Sequence, residues 1–137
     1  MMIRNIAIIK TKKEHLRGVK VYHMHATKGK ITKLQEGDLI LIDITDNTLD
    51  YYEKPIQYCM EFVGCNKDKD NLSDKIWGEH WEYIVSGKNL IELEKPFNLD
   101  KIKRSNKNYS KGVFWMAYLE DIDIEYLYDN GYLRPRT

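Results

Sequence analysis

"EGDLILIDIT", from Glu36 to Thr45, decides how the chain folds. Gly37 and Asp38 read as a turn, and Leu39 to Ile44 is then apolar at every position but Asp43. A strand with no polar alternation is covered on both faces, so Asp38–Thr45 is expected at the centre of a sheet with structure packed above and below it. Upstream, "IRNIAIIK" (Ile3–Lys10) has the same short, β-branched, apolar character and reads as a second central strand. Downstream, "PIQYCMEFVGC" reads as a third strand, opened by Pro55.

The remaining segments fit around these three. "TKKEHLRG" predicts a short helix, with Thr11 and Glu14 as a capping box and Gly18 as the stop. "VKVYHMHA" alternates as a strand, with Val19, Val21, His23 and His25 on one face. "NKDKDNLSDK" is a charged loop and the segment expected to be least ordered. "IWGEHWEYIV" reads as a strand that puts Trp77, Trp81 and Tyr83 on one face, and Ser-Gly-Lys-Asn around Gly87 reads as a hairpin turn into "NLIELEKP". A short helix is expected to start at Asn98, followed by a basic loop, a short apolar element in "VFWMAYL", and an acidic helix capped by Gly131. The whole is predicted to be a single α+β domain over 1–137. Its centre is a small β-barrel of five to six strands in a curved mixed sheet, flanked by two or three short helices.

Composition narrows the function. The chain has 137 residues, 42% hydrophobic and 31% charged, and a net charge of +1, so any polyanion site must be a local patch. Ten tyrosines against three phenylalanines suggest rings with one wet edge, at a groove or in a Tyr-filled β core. Cys59 and Cys65 are too few for a disulfide framework; they are expected reduced, buried and on the same face of their strand, in a cytoplasmic protein. The N-terminus does not read as a signal peptide, and no apolar run is long enough to span a bilayer. No membrane role is expected.

Four constellations could carry chemistry. His23 and His25, with His15 and His80 elsewhere, lack a third ligand in sequence, so no metal or cofactor is expected. Gly-x-Ser-x-Gly and Gly-rich phosphate loops are absent, and no catalytic residue is assigned. Lys101, Lys103, Arg104, Lys107 and Lys111 follow one another with no acid among them, and Lys10, Lys12 and Lys13 form a smaller group. Both are candidate phosphate-binding sets, with Lys28, Lys30 and Lys33 a third basic cluster. Finally, Tyr22, Trp77, Trp81, Tyr83 and Trp115 could belong to the core or could hold an unstacked base.

The order of "RGVKVYHMH", "LQEGDLILIDI", "FVGC", "IWGEHWEYIV" and "LIELEKPFNLDKI" resembles the PUA-like superfamily, and within it most the EVE and YTH-like domains that read modified bases. The resemblance implies a barrel with a pocket for one extruded base, formed by Tyr22, Asp43, Thr45, Trp77, Trp81 and Trp115. Trp81 falls at the family's pocket tryptophan, while Tyr22 stands where a cage tryptophan is expected. The implied partner is DNA or RNA carrying a modified base, bound by a monomer. A separately encoded effector would be a further partner, as in a modification-dependent restriction system. Two alternatives stay open. One is an ASCH-type amidohydrolase acting on acylated cytidine, for which Lys30, Thr32 and Glu36 are the candidate set, although their spacing to Gly37-Asp38 is short. The other is a protein-interaction domain without nucleic-acid binding.

Overall fold

The computed structural model describes residues 5–12, 15–45, 56–78, 80–109 and 116–136, with Thr45 at backbone level only. Six strands form one mixed sheet: β1 (Ile6–Lys12), β2 (Met24–Thr27), β3 (Leu39–Thr45), β4 (Ile56–Lys67), β5 (Tyr83–Phe97) and β6 (Met116–Tyr118), in the spatial order β2-β5-β4-β3-β1-β6. β1 and β3 run parallel, with Ile6 opposite Leu39 and Lys10 opposite Asp43; the other pairings are antiparallel. Three short helices, α1 (Leu72–Trp77), α2 (Leu99–Ile102) and α3 (Asp121–Asp129), accompany the sheet, together with a π-helical turn at Gly18–Tyr22.

The apolar run of β3 has the predicted consequence. Leu41 packs with Ile6, Ile8, Leu99, Ile124 and Leu127 in a core under α2 and α3. Ile40 and Ile42 pack with Ala7, Ile9, Val19, Met60 and Val85 in a second core on the other face. Both faces of β1 and β3 are therefore sealed, and the segment 18–34 closes the second core through Val19, Ile31 and Leu34.

Six local expectations are corrected. Residues 72–77 are helical, so Trp77 ends α1 and Trp81 lies in the connection before β5; neither is on a strand. The reason is Asp68, whose carboxylate accepts from the amides of Leu72 and Ser73 at 2.9 Å each and so satisfies the first turn of a helix. Gly78, at φ +76°, stops it. The charged stretch before it is accordingly not one loop, since β4 runs through Lys67 and α1 starts at Leu72.

Gly87 does not turn a hairpin, because β5 is continuous for 15 residues. It marks instead where β5 crosses Met60 so closely that a Cβ would collide with the thioether. "VKVYHMHA" is not one strand either. His23 adopts the left-handed conformation (φ 55°) after the π-helical turn, and β2 starts only at Met24. β1 extends through Thr11 and Lys12, which takes Thr11 out of the expected helix cap. Cys59 and Cys65 are free and buried as expected, but they lie in different cores. Register shifts along β4 exchange its faces between them.

Candidate nucleic-acid interface

Trp81 is held by its backbone. The Ser73 hydroxyl accepts from the Trp81 amide at 2.9 Å and donates to Asp68 at 2.5 Å, so the carboxylate that starts α1 also sets the start of the Trp81 segment. Burial pushes the Asp68 carboxyl up, but the Ser73 hydroxyl and the two amides outweigh it and hold the group below the usual carboxylate range. The half-buried indole, its Nε1 buried without a partner among the described residues, lines a cleft of about 450 Å³ together with Lys12, Lys28, His80 and Glu82. The Lys28 ammonium stands 5.7 Å from the ring centroid, within cation–π range.

Beside it lies a second cleft of about 480 Å³, lined by Lys30, Cys65, Asn66, Lys67, Lys69 and Tyr83. Thr27 and Lys67 flank Tyr83 in register on either side, which makes the two clefts neighbours across β2, β5 and β4. Lys67, Lys69 and Asn66 escaped the sequence reading because they stand in a stretch of mixed charge. The i, i+2 spacing of the two lysines at a strand end was the available signal.

Trp77 has a different environment. Its indole Nε1 points to the His15 carbonyl at 3.4 Å, and its ring lies against Gly18, where a Cβ would come within 2.6 Å of Nε1. The His25 ring is 6.5 Å away, centroid to centroid. His25 is buried, with Nδ1 2.7 Å from the Ala26 carbonyl oxygen; the proton on Nδ1 makes that contact a hydrogen bond, and Nε2 then has no partner among the described residues. Burial brings its pKa down to about 4, so the ring is neutral near pH 7. Tyr22 is 48% exposed at the end of the π-helical turn and lines none of the clefts described here. Asp43 is buried opposite Lys10, and burial lowers the Lys10 pKa despite the fields of Asp43 and Asp100. Alternation puts Asp43 on the β3 face shared with Leu41, the one covered by α2 and α3. Trp115, Lys13 and Lys111 lie outside the described residues, as does the side chain of Thr45.

The basic loop is tied down from within. Asp123, fully buried on α3, accepts from the amides of Arg104 (2.6 Å) and Ser105 (2.9 Å), from the Ser105 hydroxyl, and from the Tyr109 hydroxyl at 2.5 Å. Burial pushes its carboxyl up, but these donors prevail and hold it below the usual range. Lys103 donates to the Ser105 carbonyl at 3.0 Å and Lys107 to the Tyr118 carbonyl at 2.6 Å, while Arg104 stacks on Tyr126 at 4.1 Å. Lys101 stays exposed. Lys107 also lines a cleft with Asn5 and Ile6, at the opposite end of β1 from Lys12. The seven residues of β1 separate these two ends by about 20 Å. Lys12 therefore joins the Trp81 cleft, and Lys107 does not. Of the amidohydrolase candidates, Lys30 lines the second cleft, Thr32 is exposed, and Glu36 pairs at 3.6 Å with Lys88.

No protein-family profile and no curated protein matches the sequence. Solved structures do match in shape. The ASCH protein of Zymomonas mobilis is 13% identical and covers 90% of this chain and 94% of its own, with a TM-score of 0.61. A single-substitution variant of it reaches 0.65 at 15% identity, over 95% and 99% of the two chains. The YTH domain of a Zygosaccharomyces rouxii protein, in complex with N6-methyladenosine RNA, is 13% identical and covers 96% of this chain and 90% of its own, with a TM-score of 0.57. The protein thus has the PUA-like small-barrel fold of the α+β class, the fold shared by ASCH and YTH domains.

Proposed function

We propose that this chain is a nucleic-acid-binding module that stacks one base, carrying a modification, on Trp81. The observation that supports this is the half-buried Trp81 ring, pinned through Ser73, in a cleft whose rim carries Lys12 and Lys28. An aromatic face and adjacent cations are the two parts a single unstacked base and its phosphates require. The module acts as a monomer in the cytoplasm, as the recognition part of a modification-dependent system whose effector is a separate protein. The test is a binding screen of wild type and Trp81→Ala against oligonucleotides with plain, methylated and hydroxymethylated bases, at low and high salt. Loss of one stacked base costs about 1–3 kcal/mol, a five- to 150-fold weakening, and affinity falls steeply with salt. If none of these oligonucleotides binds wild type at low salt, the proposal is wrong.

A second reading rests on Lys12, Lys28 and Glu82 facing the same cleft, a cation–carboxylate set suited to hydrolysing an acylated cytidine in the ASCH manner. Turnover of N4-acetylcytidine that disappears in both Lys28→Met and Glu82→Gln would establish it.

A further inference from the structure

We propose that a bound strand lays its phosphates along the groove formed by Lys12, Lys28, Lys30, Lys67 and Lys69, and not over the basic loop at 101–109. The proposal rests on the Trp81 base-stacking reading and specifies the route of the backbone past that ring. The ligand class is a single-stranded phosphodiester chain.

Three observations carry it. First, the two clefts are lined by chain neighbours: Trp81 and Glu82 of one directly precede Tyr83 of the other. Thr27, Tyr83 and Lys67 are successive cross-strand partners on β2, β5 and β4. At the usual strand spacing that places Thr27, the chain neighbour of Lys28, about 10 Å from Lys67 at the backbone. Lys28 and Lys30 bracket Gly29, each lining its own cleft.

Second, these cations are available. Among the described residues none of the five is ion-paired, and Lys28 is engaged only with the Trp81 ring. Their acidic neighbours among the described residues are few. Asp68 is turned to α1, which leaves Glu82 in the first cleft and Asp70 beyond Lys69. In the basic loop, by contrast, Lys103 and Lys107 are bound to carbonyl oxygens of the protein, and Arg104 lies over the Tyr126 ring. A phosphate there would have to break those contacts before making its own.

Third, the groove and the stacking ring adjoin, whereas the Lys107 end of the loop sits at the far end of β1. A backbone held at Lys107 could not deliver its base to Trp81 without spanning the length of that strand. A cationic groove running past a partly accessible ring is an arrangement that binds single strands, because bases in a duplex have no free face to stack.

The experiment compares Lys67→Gln/Lys69→Gln with Lys101→Gln/Arg104→Gln, all four positions being exposed. Labelled oligouridylate and oligothymidylate are titrated over a range of salt, with thermal melts confirming that each variant is folded. The groove variant is expected to bind several-fold more weakly and to lower the salt slope by about 1 to 1.5, since two phosphate contacts on a single strand contribute about 0.7 each. The loop variant is expected to match wild type in affinity and slope. The proposal is overturned if the loop variant loses affinity and slope while the groove variant keeps both, or if an acidic peptide competes as well as the oligonucleotides. Groove-dependent binding that is indifferent to Trp81→Ala would uphold the phosphate path and sink the base-stacking reading instead.

Discussion

Lowering the pH should destabilise this protein through His25 before most of its carboxylates titrate. The ring is buried, its Nδ1–H faces the Ala26 carbonyl, and its Nε2 is without a partner among the described residues, so a second proton would put a charge where nothing receives it. Burial lowers the pKa from 6.5 to about 4, with the Ala26 carbonyl acting in the opposite direction and His15 reinforcing the drop. The sign follows from linkage: below pH 6.5 the unfolded chain binds a proton that the folded chain refuses, so stability is complete above 6.5 and is lost progressively as pH falls toward 4. At about 1.4 kcal/mol per unit, the full loss is about 3 kcal/mol, most of it reached by about pH 4.5.

Urea unfolding at about pH 7.5 and about pH 4.5 measures this on wild type and His25→Leu. Leucine cannot take the proton, and at the higher pH it gives up only the bond to Ala26, a change of about 1 kcal/mol. The difference between the two proteins should therefore shift by about 2–3 kcal/mol in favour of leucine as pH falls. Parallel pH dependence in the two proteins, or an NMR titration placing His25 near 6.5, would refute the reasoning.

Four further perturbations test the framework. Tyr109→Phe removes a bond to a carboxylate and the acceptor of the Glu120 amide, so it should cost about 1.5–3 kcal/mol in urea unfolding. Asp123→Asn should cost a similar amount or more and increase amide exchange at Arg104 and Ser105; because the Asp123 pKa is depressed below 3.8, the stability it supplies is present above that pH and lost below it. Gly18→Ala drives a methyl into the Trp77 indole, predicting a loss of about 1–3 kcal/mol and a red-shifted tryptophan emission. Ser73→Ala releases the Trp81 amide, and should lower stability by about 1–2 kcal/mol while weakening oligonucleotide binding without touching any cleft-lining side chain.

Much of the fold was legible because its signals are local. The run Leu39–Ile44 could only be a strand covered twice, and Asn98 caps α2 by accepting from the Asp100 amide two residues on. The acidic helix and its glycine stop were equally plain, since Gly131 follows α3 at φ +72°. The aromatic stretch misled because alternation is a weak signal over a few residues and a more distant group overrode it: the Asp68 carboxylate supplies the acceptors that let Leu72–Trp77 coil. The cysteines went to different faces because bulges shift a strand's parity, and nothing in "CMEFVGC" marks a bulge.

The candidate site divides along the same line. Composition and spacing alone determined that Trp81 and Lys12 were worth attention and that lysine clusters existed. Only the tertiary structure decided which lysines share a cleft, because Lys12 and Lys28, and likewise Lys30 and Lys67, belong to separate segments brought together by the pairing of the strands and the curl of the sheet. It also decided which cations are committed elsewhere, since the carbonyls that hold Lys103 and Lys107 are acceptors that no run of side chains can reveal.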